Sequence, residues 1–443
     1  MSTADRTVWI VNHHATNAER DGRSGRHEQL ARRLGDSDWR AVVVAASTDH
    51  PSGRQTFGPG RLRARWQGPT HEFVWLRGVG YDRLRVLRAL DVLVFTALVL
   101  LPGALRGLPA PDLVVGSSVH PLAAWAGARL ARRHGVPFVY EPRDLWPETL
   151  VQFGVLSRRH PVTRLLESLQ RRAVEQAALV VSPLEGAGRY LADRGLHAPF
   201  LWVPNGVSAD RDAPGTTREH ARPGTDSDSD SDSDSDTFEI AYLGSMGPAN
   251  ALGAVVEAFD RASRSPGGER LVLRLVGTGS QRAELIARAA LCLHADRVVF
   301  EGHVSQGRAR QLGRAADCLV ANLQPLDLYR HGTSLNKFFE YLLLGKPVVL
   351  GASVDLDPVT DAGAGVRVPG DDVEALAGAM LAVAALTSDE RTAMGERGRR
   401  HVLENYDYDV LAARFAAGLD DAVTSASGRS APGRAAPSDG RRP

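Results

Sequence analysis

YRHGTSLNKFFEYLLLGKPVVL, Tyr329 to Leu350, is the stretch whose reading decides the fold. Apolar spacing from Lys337 to Leu344 predicts a helix that Gly345 ends, and Pro347 to Leu350 starts a buried strand. Tyr329 to Ser334 is the polar loop ahead of the helix. Loop, helix, turn and strand in that order make one α/β unit. A helix that starts beside a strand's carboxyl end points unpaired N–H groups and partial positive charge at the crevice where open α/β sheets bind ligands. Asn336 and Lys337 stand at that N-terminus, and Glu340 follows one turn on. Amides and a lysine suit a diphosphate, and a carboxylate suits hydroxyls such as those of ribose, so the trio fits a sugar nucleotide. An ordinary amphipathic helix with a solvated lysine and glutamate fits the same residues.

The same alternation surrounds the stretch. Phe238 to Leu243 leads into the glycine loop and helix of GSMGPANALGAVVEAF, Leu271 to Val276 into Gly277-Thr278-Gly279, and Val298 to Glu301 into Gly302-His303-Val304. Cys318 to Ala321 precedes the quoted stretch, and Val366 to Val368 is the last strand. The first half repeats the scheme with strands at Thr7 to Asn12, Ala41 to Ala46, Phe73 to Leu76, Asp112 to Gly116, Pro137 to Tyr140 and Leu179 to Ser182. The expected fold class is α/β, with two doubly wound Rossmann-like domains facing across a cleft. The loop His13 to Gly25 lacks G-x-G-x-x-G spacing, so a dinucleotide fingerprint is not supported.

Between the halves the composition breaks. TDSDSDSDSDSDT carries like charges at every second position and no apolar residue, which predicts a solvated linker. It lacks the glycine turn of a calcium loop. The expected organisation is residues 1–207, a linker at 208–237, a second domain at 238–422 and a disordered tail at 423–443. Fifty-three basic against fifty-two acidic residues leave a net charge of +1, which gives no footprint for nucleic acid. Two cysteines supply neither a disulfide framework nor a metal site and fit a reducing, cytoplasmic compartment. The N-terminus lacks the apolar core of a signal peptide, and the longest apolar run, Val92 to Leu101, is too short to span a bilayer. Arg83, Arg85, Arg88 and Asp91 precede that run. It reads either as a buried helix or as an in-plane helix resting on lipid through 83–105.

Across nearly the whole chain the motifs resemble those of GT-B glycosyltransferases of retaining family 4. The nearer likeness is to the O-antigen and capsule branch typified by bacterial fucosamine transferases. The motifs are GRHEQLARRL, SSVHPLAAW, YEPRDLWPETLVQFGVLS, PNGV, YLGSMGPANAL, the opening stretch and DPVTDAGAGVRVPGDD. The resemblance implies transfer of a sugar from a nucleoside diphosphate, UDP by expectation, to a saccharide or lipid-linked acceptor. It implies retention, no metal and no other cofactor, and a cytoplasmic enzyme that can rest on the inner membrane face. The family's donor-binding glutamate falls on Glu340, its partner eight positions earlier falls on Gly332, and two cations of many relatives fall on Ser245 and Asn250. The diphosphate charge is therefore expected to fall on the amides of Gly244, Ser245 and Gly247, and on Lys337 and Arg330, with Asn336 beside them. Arg143 and Asp144 stand where relatives carry an active-site histidine; Arg143 is expected to steady the leaving group and Asp144 to contact hydroxyls. A structural ion pair is the plainer reading of those two. His120 is a candidate for acceptor contacts or a helix cap, and Gly25, Arg26 and His27 mark the acceptor side. Two other readings keep the fold. One is a non-catalytic nucleotide-binding partner subunit, suggested by Gly332, Ser245 and Asn250. The other is a UDP-N-acetylglucosamine 2-epimerase-like enzyme, which the RDLWPE cluster disfavours.

Overall fold

The computed structural model describes residues 6–50, 52–84, 86–209, 237–333, 335–354 and 357–429. Ser334, Arg85, the Asp/Ser run and everything from residue 430 lie outside the described residues. The chain divides into two compact units. The first comprises Met1–Pro183, Ala187–Val203 and Ala412–Pro443, the second Leu184–Gly186 and Pro204–Leu411.

The first unit is built on eight strands: β1 (Arg6–Val11), β2 (Trp39–Ala46), β3 (Arg63–Gln67), β4 (His71–Leu76), β5 (Leu113–Ser118), β6 (Phe138–Pro142), β7 (Leu179–Ser182) and β8 (Phe200–Trp202). Their order is β3-β4-β2-β1-β5-β6-β7-β8. All pairs are parallel except β3 with β4. Val8, Val42, Val43, Val114 and Val139 are fully buried, as expected for strands covered on both faces by crossover helices. The chain runs one way from β1 and the other way from β5. Their carboxyl ends therefore flank the switch point where such sheets bind ligands.

Two expectations for this unit are corrected. No strand was expected between Ala46 and Phe73, yet that stretch contains β3. RARWQ has little strand propensity, but Arg65 on β3 and Arg40 on β2 both pair with buried Glu72 on β4, at 2.6 and 2.7 Å. The last helix, Tyr408–Arg429, runs through the start of the expected tail, and from Ala412 it belongs to the first unit. Ala412, Phe415, Ala416, Leu419 and Ala422 form its buried stripe, and the Asp420 carboxylate accepts from Trp39 Nε1 at 2.8 Å and pairs with Arg6 at 2.7 Å.

The second unit carries β9 (Phe238–Leu243), β10 (Leu271–Val276), β11 (Val298–Glu301), β12 (Cys318–Asn322), β13 (Val348–Gly351) and β14 (Gly365–Val368). They form one parallel sheet in the order β11-β10-β9-β12-β13-β14. Its switch point lies between β9 and β12. The opening stretch folds as read, with a helix at Asn336–Leu343, Gly345 at φ 70° and β13 after it. Ahead of the helix, Asp327–His331 winds into a short 3-10 turn where plain loop was expected.

Candidate functional site

In the second unit the loop after β9 and the Asn336–Leu343 helix converge at the switch point. Gly244 has φ 154°, and a Cβ there would lie 3.1 Å from Tyr242 Oη and 3.5 Å from Lys337 Nζ. At Gly277, φ 134°, a Cβ would collide with the Gly244 carbonyl. Glycine is required at both, because the loops after β9 and β10 pack backbone against backbone.

Lys337 is fixed from two sides. Its ammonium donates to Tyr242 Oη at 2.9 Å and to Asn250 Oδ1 at 2.6 Å, and sits 4.6 Å from the Tyr242 ring centre. Tyr242 and Asn250 in turn both donate to the Ser245 carbonyl, at 2.6 and 2.8 Å. Both partners of the ammonium are neutral, and burial pushes its pKa down to about 8, with Glu340 opposing. Asn250 thus holds the lysine in place. Tyr341 ties the helix to the end of β9, its hydroxyl accepting from Leu243 N–H at 2.7 Å and donating to Leu243 C=O at 2.9 Å. The N-cap residue Leu335 makes no side-chain capping bond. Asn336, Glu340, Arg330, Gly244 and Ser245 are exposed, and Gly247 opens the turn Pro248–Asn250. Gly332 has φ 96°, and a Cβ there would lie 3.1 Å from Glu185 N, so the backbone at this position favours glycine.

In the first unit the expected residues separate into two sets. Arg26 and His27 are buried and close on Glu141: Arg26 Nε to Oε1 at 3.0 Å, His27 Nε2 to Oε2 at 2.7 Å, with Arg26 also donating to Val203 C=O at 2.7 Å. Burial of Glu141 works to raise its pKa, but His27 and Arg26 overcome it and hold the carboxyl well below its usual range. Gly25 caps that helix, and a Cβ there would meet Thr16 Oγ1 at 2.5 Å. The side chains of Arg26 and His27 are thus engaged within the fold.

His120 is also engaged on both ring nitrogens. Nδ1 accepts from Ala123 N–H at 3.2 Å as the N-cap of the Pro121–His134 helix, and Nε2 lies 2.8 Å from His13 Nδ1. His13 Nε2 reaches Asp91 Oδ2 at 2.9 Å, and Asp91 further accepts from Thr48 Oγ1 at 3.0 Å and Val79 N–H at 2.7 Å. The Ala123 N–H leaves the His120 proton on Nε2, and the chain of donors then runs His120 to His13 to Asp91. This buried relay sits at the carboxyl ends of β1 and β5, beside the bond from Asn12 Nδ2 to Ser117 Oγ at 2.8 Å. Arg143 and Asp144 behave differently. Arg143 is half-buried with its Nε unpartnered, Asp144 is exposed, and no ion pair joins them among the described residues.

Residues 24–206 match the family model for the glycosyl transferase 4-like domain, and residues 237–385 match that for glycosyl transferases group 1. The chain is a GT-B glycosyltransferase. Solved structures agree on the fold. Sucrose-phosphate synthase from Thermosynechococcus elongatus superposes with TM-score 0.66 at 18% identity, over 95% of this chain and 100% of that one. Trehalose 6-phosphate synthase from Burkholderia multivorans gives 0.67 at 14%, over 97% and 99%. The Anabaena protein HepE in complex with UDP gives 0.59 at 15%, over 94% and 99%. No curated protein sequence matches significantly.

For this glycosyltransferase, sequence reasoning named Lys337 but not Tyr242, which holds its ammonium, or Tyr341, which ties its helix to β9, both at positions that read as strand and helix core. It named Asn250 only as a missing cation. The pairing of His13 with Asp91 went unseen because they stand 78 residues apart in the chain. Among the described residues no group of three or more His, Cys, Asp or Glu is placed to hold a metal ion.

Proposed function

We propose that the enzyme is a retaining glycosyltransferase of cell-surface polysaccharide synthesis, in the O-antigen and capsule branch. It moves a sugar from a nucleoside diphosphate, UDP by preference, to a saccharide or lipid-linked acceptor. The observation that carries the reading is Lys337, an ammonium held by two neutral partners at a helix N-terminus beside a glycine loop. Such a group is desolvated and awaits an anion, and a diphosphate meets it together with loop amides. HepE, which shares the fold, was solved with UDP and with UDP-glucose, and this supports UDP as the nucleotide. Glu340 is assigned to the ribose hydroxyls, and Arg330 with the amides of Gly244 to Gly247 to the remaining phosphate charge. The proposed transfer is metal-independent because these groups and Lys337 carry that role.

In the proposed reaction the bond from anomeric carbon to phosphate oxygen breaks while the acceptor oxygen bonds the same face. The acceptor proton passes to the departing phosphate oxygen. Arg143, with its unpartnered Nε, is assigned to the leaving diphosphate and Asp144 to hydroxyls.

The membrane reading is supported by the Leu87–Leu100 helix. It buries Asp91, Phe95, Thr96 and Val99 but exposes Leu90 and Leu93, with Leu84 and Val86 exposed just before it and Leu101 just after. Among the described residues no helix is long and apolar enough to cross a membrane, so a lipid contact would be in-plane.

The test is turnover of UDP-sugars with saccharide and lipid-linked acceptors in the presence of a chelator, with the product's anomeric configuration read by NMR. Retention supports the scheme. An inverted linkage contradicts it, and tight UDP binding without any turnover would favour a partner subunit.

A further inference from the structure

The second unit carries a groove apart from the Lys337 site. One core joins the helices Leu252–Ser263, Arg282–Ala289 and Val373–Ala384 to β9, β10 and β12. The Asn336–Leu343 helix that carries Lys337 adds no residue to that core and packs instead on Ser388–Tyr406. On the face away from it, about 340 Å³ opens between the first two helices and the loops that follow β12 and β14. Ligand pockets run from roughly 300 to 1,000 Å³. Lys337, Tyr242, Ser245 and Asn250 do not line this one. The segment 248–251 divides the two places, because Asn250 Oδ1 accepts from Lys337 while Pro248 and Ala251 line the groove.

The wall of the groove is strained. Ala251 has φ 39° and ψ 44°, in the left-handed region that L-residues avoid, and buried Asn322 fixes it by donating from Nδ2 to its carbonyl at 2.9 Å. Asn322 Oδ1 has no partner and lies behind Gly370, another lining residue, where a Cβ would come within 3.3 Å of it. Backbone strain held by its surroundings clusters at ligand sites. Three polar side chains converge on the same space. Gln281, Gln324 and Asp371 line it, and none of them makes a side-chain hydrogen bond or ion pair among the described residues. Glu284 is held by Arg288 at 2.8 Å, so Asp371 is the uncompensated charge of the described lining, and it repels phosphates. Ala254 and Leu285 supply apolar surface between the polar groups. Two carboxamides and a carboxylate, over aliphatic surface, complement the hydroxyl edge and the C–H faces of a sugar ring.

We propose that this groove is a second saccharide site, which holds a neutral sugar through Gln281, Gln324 and Asp371 outside the nucleotide-sugar site. The proposal goes beyond the glycosyl-transfer reading and does not depend on UDP as the donor nucleotide. A free sugar and a stretch of glycan chain share this chemistry.

The test is a ligand-observed NMR titration of the full chain, saturated with UDP to occupy the donor site, with glucose, N-acetylglucosamine and maltotetraose. At least one probe should bind saturably. Gln281→Ala and Asp371→Asn should each weaken it roughly three- to tenfold, and Ala254→Gln, which fills the groove, should abolish it. All three variants should keep the parent's affinity for UDP. Preference for the tetrasaccharide identifies a glycan chain as the occupant, and preference for a monosaccharide a free sugar. Absence of saturable binding for every probe, or binding indifferent to the three substitutions, overturns the site. Loss of UDP affinity in Gln281→Ala and Asp371→Asn overturns it as well, because the groove would then belong to the donor site. Lys337→Ala separates the two claims: it should lose UDP yet keep the saccharide. If the parent binds no UDP, the donor reading fails and the same saccharide titration still decides the groove.

Discussion

Replacing Lys337 with methionine should weaken the donor and spare the fold, and the two effects can be separated. At neutral pH the ammonium is charged although burial has lowered its pKa from 10.5 to about 8. That difference sets at most about 3 kcal/mol against the charged form in the folded state. The penalty is fully present below pH 8 and fades as pH rises toward the unfolded value, so removing the charge relieves it. Against this, Asn250 Oδ1 loses its 2.6 Å donor, at about 1 kcal/mol. Tyr242 keeps its bond to the Ser245 carbonyl. Net stability should therefore change little or rise slightly. UDP should lose a charge-assisted contact of about 1.5–3 kcal/mol, a roughly ten- to hundred-fold weaker Kd. In the parent, affinity should fall as pH rises through about 8, because the ammonium loses its proton, and Lys337→Met should abolish that slope. Calorimetric titration with UDP at neutral and alkaline pH, alongside urea unfolding, reads all three quantities. Unchanged UDP affinity, or a parent whose affinity ignores alkaline pH, would refute the reasoning.

Further outcomes are expected at other positions. Asn250→Leu should weaken UDP roughly tenfold by removing one of the two partners of both Lys337 and the Ser245 carbonyl, and calorimetry checks it. Gly332→Glu, which rebuilds the family's motif in sequence, should not strengthen UDP binding. Instead it should cost about 1–3 kcal/mol, seen as a lower Tm, because φ is 96° there. His13→Ala should destabilise the first unit by about 3–5 kcal/mol in urea unfolding, since it leaves buried Asp91 without its imidazole. Leu90→Asp with Leu93→Asp should abolish co-sedimentation with anionic vesicles while leaving UDP affinity unchanged.

The opening stretch was legible because its helix, its terminating glycine and its strand are local patterns, and Lys337 lies in the first turn of that helix. The parallel strands were legible for the same reason, being short β-branched runs such as VVVAA and CLVA. What escaped was non-local. β3 exists through arginine–glutamate pairing across strands, which RARWQ does not announce, and the last helix joins the first unit through Asp420 meeting Arg6 and Trp39 from the far end of the chain. In the site, residue types were legible and their surroundings were not. Arg26 and His27 close on Glu141, a partner 114 to 115 residues away, and the helix cap foreseen as one reading of His120 is present but also joins His13. Burial and pairing of polar groups arise from tertiary packing, and spacing carries no sign of them.

The central claim is a metal-independent nucleoside diphosphate site organised by Lys337 in the second unit. Calorimetric titration of the full chain with UDP, with chelator and then with Mg²⁺, tests it most directly. The expected result is a single site with the same affinity in both conditions, weakened by Lys337→Met. Failure to bind UDP, dependence on Mg²⁺, or full binding by Lys337→Met would contradict it.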